Sequence, residues 1–131
     1  MQTLPFVSVV TLLALLEFMI LGMAVGRARA KYGVKAPATS GNEMFERHFR
    51  VHYNTLEQLI VFLPSLWLFA IFVSDLWSAI LGAVFIVSRV LYAVGYVSEP
   101  KKREVGSIAS FAVVAILLLG ALYGAIRAAI V

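Results

Sequence analysis

Four stretches of this chain stay apolar for about twenty residues each, and such a pattern builds little other than helices in lipid. The first runs from about Leu4 to Val25 with one charge in it, Glu17. The second runs from about Thr55 to Val73, the third from about Leu76 to Val97, and the fourth from about Val105 to Val131. A helix satisfies its own backbone hydrogen bonds, which a bilayer interior requires because it offers none. The composition points the same way: 62% of residues are hydrophobic and 14% charged, outside the balance of water-soluble domains. The fold class expected is all-α, a four-transmembrane-helix bundle.

At 131 residues the chain has room for one domain. It reads as a single integral membrane domain with helices at about 4–25, 45–73, 76–97 and 105–131. Ala28-Arg29-Ala30 loosely resembles a signal-peptide cleavage site, but no basic segment precedes the first span, which is also long for a secretory signal, so it is kept as a helix. Cysteine is absent, which excludes disulfides, a protein thiolate nucleophile and cysteine metal sites. The net charge of +4 comes from residues in loops and helix ends, as membrane topology would place them, so nucleic acid is not an expected partner.

Lysine and arginine set the expected orientation. Arg27, Arg29, Lys31, Lys35, Arg47 and Arg50 follow the first span, and Lys101, Lys102 and Arg103 follow the third. The turn after the second span holds only Asp75. Both basic loops are therefore expected on the cytoplasmic side and both termini on the other. Residues 30–44 are rich in turn formers, Pro64 is expected to kink the second helix or expose a carbonyl to a neighbour, and Pro100 ends the third. Gly120 and Gly124 form a small-residue pair suited to close helix approach.

The second helix begins with a polar extension, Phe45 to Gln58. On a helix Arg47, Arg50, Asn54 and Glu57 fall at i, i+3, i+7 and i+10 and share one face, while His52 points nearly the opposite way. Charges within lipid are costly and mark functional candidates. Glu57 and Arg89 read either as an ion pair joining two helices or as parts of a site. Tyr92 and Tyr96 favour the site, because with Arg89 they form a second polar stripe at i, i+3 and i+7, climbing toward the end where the first begins. With Arg29 and Arg103 these stripes outline a cationic pocket at the membrane surface, suited to a small anion carrying carboxylates. Glu17, alone in its span, reads as an inter-helix hydrogen bond. His48 and His52 are spaced i, i+4 but have no evident third ligand, so no metal site is expected.

Phe45-Glu46-Arg47, Arg50 and Asn54-Thr55-Leu56-Glu57, with Arg89, Tyr92, Tyr96 and the basic turn ending in Arg103, resemble the signature of the membrane-associated proteins in eicosanoid and glutathione metabolism, in particular microsomal glutathione transferases. The resemblance spans essentially the whole chain. It implies a homotrimer of four-helix subunits with glutathione bound between neighbours near the cytosolic face. It further implies that Arg50, Asn54 and Glu57 hold the tripeptide, Glu57 at its amino group and Arg50 at a carboxylate. Arg29, Arg89, Tyr92 and Tyr96 would complete the contacts, with His52 where the leukotriene-C synthase branch has glutamine and Gln58 where it has tyrosine. Arg103 would be the catalytic residue. A guanidinium fixed beside the sulfur favours the nucleophilic thiolate over the thiol.

Ala30 stands where the eicosanoid-forming branch has a second arginine. Together with Gln58 it points toward a general transferase or peroxidase, with glutathione as co-substrate and a hydrophobic electrophile or lipid hydroperoxide arriving from the membrane. The alternative within the same fold is a non-catalytic lipid-binding or scaffold protein. A small transporter built on Glu17, Glu57 and Arg89 is a third, weaker reading, since no pair of broken helices is visible.

Overall fold

In the computed structural model, which describes residues 3–131, the chain forms four long helices: α1 (Pro5–Tyr32), α2 (Glu43–Phe72), α3 (Asp75–Ser98) and α4 (Glu104–Ile130), with a 3-10 turn at Pro100–Arg103 leading into α4. All four are long and apolar enough to cross a membrane. Large apolar side chains such as Leu12, Ile60, Val87, Ile108 and Leu119 cover the outside of the bundle, as expected where lipid is the solvent.

The helix ends follow local chemistry. Pro5 opens α1 at a position where its missing N–H is not needed. The α1 helix runs well past the expected end near Val25, through its charged segment, and stops at Gly33, whose φ of 69° is the left-handed closing conformation. Asn42 caps α2 by accepting the Phe45 N–H at 3.0 Å, with Glu43 and Glu46 in the first turn. Ser74 caps α3 by accepting the Trp77 N–H at 3.2 Å. Pro64 lies within an uninterrupted α2.

Helices α2 and α3 form the central pair; α1 packs on both, and so does α4. Phe62 of α2 and Phe85 of α3, both fully buried, stack with ring centroids 3.8 Å apart. Val7, Leu66 and Leu117 complete the fully buried centre. The glycine pair of α4 seats α2: a β-carbon at Gly120 would lie 2.5 Å from the Phe69 ring, and one at Gly124 would lie 2.9 Å from Phe72 Cβ.

The turn residue Asp75 does more than begin α3. Its carboxylate accepts the Val7 N–H at 2.9 Å and the Phe6 N–H at 3.3 Å, so it caps the start of α1 from a neighbouring helix. Asp75→Ala is expected to cost about 1–2 kcal/mol, readable as a lowered thermal transition in detergent.

Candidate functional site

The bundle runs up and down, which gathers the C-terminal ends of α1 and α3 and the N-terminal ends of α2 and α4 at one end. Arg29, Arg50, Tyr96 and Arg103, far apart in sequence, belong to those four ends. Two glycines set how closely the third and fourth approach. A β-carbon at Gly106 would sit 2.7 Å from the Ser88 carbonyl oxygen and Tyr92 Cα, so α4 crosses α3 almost in backbone contact beside Tyr92. A β-carbon at Gly95 would sit 2.6 Å from the Lys102 carbonyl oxygen. That contact lays the 3-10 turn on α3 and brings Arg103 over Tyr96.

The centre of the site is Arg89. Its side chain is 1% exposed, and burying a guanidinium demands partners. Nε donates to Thr55 Oγ1 at 3.2 Å, and Nη2 donates to Thr55 Oγ1 at 2.7 Å and to Asn54 Oδ1 at 2.9 Å. Its Cζ lies 4.1 Å from the centre of the Tyr92 ring. Tyr92 and Tyr96 rings are 5.7 Å apart, and Arg103 Cζ lies 5.6 Å from the Tyr96 ring. Cation, two aromatic rings and cation therefore alternate from the buried interior to the exposed rim, each cation facing a ring. The array offers guanidinium charge at two depths and phenol hydroxyls between them.

The expected wall of Arg50, Asn54 and Glu57 facing Arg89, Tyr92 and Tyr96 is divided. Asn54 meets Arg89 as described. Arg50 and Glu57 are exposed; Arg50 lines a separate surface hollow with Thr39, Ser40 and Tyr53. Glu57 does not pair with Arg89 among the described residues. The guanidinium takes the neutral oxygens of Asn54 and Thr55, which lie on the helix face turned toward α3, while Glu57 is turned outward. Gln58 is half-buried. Arg29 is folded over the Phe45 ring at 4.7 Å and donates to the Ala38 and Val34 carbonyls at 2.8 and 3.4 Å, tying the end of α1 to the loop. His52 stacks on Phe18 of α1, centroids 4.4 Å apart and planes within 14°, with its edge against Gly22.

The structure also gives Arg47 its partners and corrects the reading of Glu17. Arg47, grouped with the polar stripe, works structurally: it donates to the Val97 and Ser98 carbonyls at 3.0 and 3.3 Å, closing the C-terminus of α3, and pairs with Glu43 at 2.6 Å. Among the described residues Glu17 makes no inter-helix hydrogen bond; both its carboxyl oxygens are buried without a donor, and Arg89, which lines the same hollow, is committed to α2. Thr55 is not among the site residues expected from the sequence, although it accepts two of Arg89's three side-chain hydrogen bonds. Its signals in the sequence are its place between Asn54 and Glu57 in the polar run and a hydroxyl at the first position of an apolar span.

The fold and site define an integral membrane protein class: four apolar helices with a cluster of arginines and tyrosines at one end. The MAPEG family model matches residues 7–123, and the chain belongs to that family. It is 54% identical over 115 residues to an uncharacterised protein of Synechocystis, covering 88% of this chain and 84% of that one. It is 37% identical over 116 residues to microsomal glutathione S-transferase 2 of Homo sapiens, covering 88% and 79%. Leukotriene C4 synthase of Rattus norvegicus is 34% identical over 96 residues, covering 73% and 64%.

Proposed function

We propose that this protein is a membrane-bound glutathione transferase that activates the glutathione thiol as thiolate for attack on a hydrophobic electrophile, with reduction of lipid hydroperoxides as a related activity. The observation that carries this reading is the array Arg89–Tyr92–Tyr96–Arg103, with the arginines at its ends 4.1 and 5.6 Å from the rings they face. Glutathione is a small anion with two carboxylates and a thiol, and an array of guanidinium and phenol groups is complementary to it. The names of the relatives support the same co-substrate.

In this reading Arg103, exposed at the rim, stands beside the sulfur and favours the anion; Tyr92 and Tyr96 donate hydrogen bonds along the peptide, and Arg89, buried and bonded to α2, sets the position of Tyr92 from beneath. Arg50 and Glu57 face outward from the subunit, His52 lies on the α1 side of α2, and Gln58 is half-buried. Those four residues and Arg29 would then serve sites shared between neighbouring subunits, in a homotrimer whose electrophile enters from the bilayer. The site faces the cytoplasm, as the basic residues at this end of the bundle favour, and both termini lie across the membrane.

The test is purified protein in detergent with glutathione and a nitroaromatic halide, followed by a hydroperoxide. Conjugation that saturates in glutathione is expected, with Arg50→Ala raising the glutathione KM about tenfold or more, as for loss of a charge-assisted carboxylate contact. Calorimetry that found no glutathione binding would replace this reading with that of a lipid-presenting protein of the same fold.

A further inference from the structure

Three buried side-chain atoms lack a hydrogen-bond partner among the described residues: both carboxyl oxygens of Glu17 and Nε of Arg47. Orphaned groups of this kind are rare because each loses its hydration without recompense. These three belong to residues lining one groove. Its deep half, about 420 Å³, has Glu17 on α1 and Arg89 on α3. Its upper half, about 520 Å³, has Arg47 and His48 on α2. Leu21, Ala93 and Val94 line both halves, so the two hollows adjoin along an aliphatic wall between their polar ends. Exposed Leu13, Ile20 and Val94 leave it open sideways to lipid. Apart from Arg89, no residue of the glutathione reading lines it.

The two ends call for different chemistry. At the upper end Nε of Arg47 lacks an acceptor, while its Nη atoms are bonded to Glu43 and to the Val97 and Ser98 carbonyls; with His48 beside it, that free N–H suits the oxygen of an anionic head. At the deep end the Glu17 carboxyl needs a group that donates, or that both donates and accepts, and a hydroxyl does either. Arg47 is bonded to the Val97 carbonyl, and from Val97 back to Arg89 is eight residues of helix, or about 12 Å. We propose that this groove binds a long-chain membrane amphiphile, its anionic head at Arg47 and His48, its chain along Leu21, Ala93 and Val94, and a hydroxyl about 12 Å from the head at Glu17 and Arg89. The site lies within one subunit and does not depend on the glutathione reading.

The test is equilibrium binding of labelled stearate carrying a mid-chain hydroxyl to the full chain in detergent, without glutathione. Stearate, stearate with the hydroxyl next to the carboxylate, and an alkyl phosphate with the same mid-chain hydroxyl are the comparison ligands. The mid-chain hydroxy acid or its phosphate counterpart binds about tenfold more tightly than the other two acids, and the tighter of the pair identifies the head. Glu17→Leu removes that preference while leaving the thermal transition in place, since leucine is at home in lipid. Ala93→Phe, filling the shared centre, abolishes binding of all four. Equal affinity for the three acids, or wild-type binding by Ala93→Phe, overturns the proposal. So does disulfide cross-linking of two copies through Val94→Cys, which would be the chain's one thiol and would show the groove covered by a second subunit.

Discussion

Arg103→Ala is expected to lose about a hundredfold or more of glutathione conjugation while the dissociation constant for glutathione changes only a few-fold. Arg103 is exposed at the junction of the 3-10 turn and α4, and its guanidinium lies 5.6 Å from the Tyr96 ring. Removing it therefore takes little from packing. What is lost in the proposed site is the positive charge that favours thiolate over thiol, and thiolate is the reacting species. The variant's rate should recover at higher pH, where the unassisted thiol ionises, and Arg103→Lys should restore part of the loss. Steady-state kinetics across pH, with calorimetry for glutathione, read both quantities. Turnover at the wild-type rate by Arg103→Ala would remove this residue from its role.

The second large effect is on stability. Asn54→Leu combined with Thr55→Val strips Arg89 of all three of its side-chain hydrogen bonds and leaves a guanidinium 1% exposed against hydrocarbon. Stranding one member of a buried polar pair costs about 3–5 kcal/mol, so a large drop in the thermal transition in detergent is expected. Replacing the guanidinium as well, with Arg89→Met added to the double variant, should restore most of the stability, because an apolar set of similar volume carries no desolvation penalty. Recovery in the triple variant separates a stranded charge from simple misfit of the new side chains. If the double variant melts with the wild type, Arg89 does not depend on α2 for its burial.

The bundle was legible because lipid imposes a one-dimensional rule. Every spanning segment must be helical and apolar for about twenty residues, and that condition is written along the chain. Helix starts were less legible. Asn42 and Ser74 are ordinary local caps, but the cap of α1 is Asp75, which no local pattern associates with Val7. The extension of α1 to Tyr32 is not legible in the sequence, because the apolar pattern ends at Val25 while backbone hydrogen bonding continues to the left-handed Gly33.

The polar stripes were visible as periodicity, yet periodicity gives a direction only relative to the helix's own axis. It could group Arg47, Arg50, Asn54 and Glu57 on one side without saying which neighbour each would meet. Packing divided them. Arg47 closes the end of α3, Asn54 and Thr55 hold Arg89, and Arg50 and Glu57 remain outside. Charge made Glu57 a candidate partner for Arg89, but the side of α2 turned toward α3 carries Asn54 and Thr55 instead.

By itself, the sequence determined that this chain forms four apolar helices and which polar residues lie on which helix, since both follow from local spacing and the demands of lipid. Only the tertiary structure decided which of those residues meet. Gly106 and Gly95 let α4 and the 3-10 turn approach α3 closely, which aligns Arg89, Tyr92, Tyr96 and Arg103 and fixes Arg89 to α2, while Glu17 is left facing a groove. Those outcomes depend on distances between helices, and inter-helix distance is a property of packed surfaces that no single segment encodes.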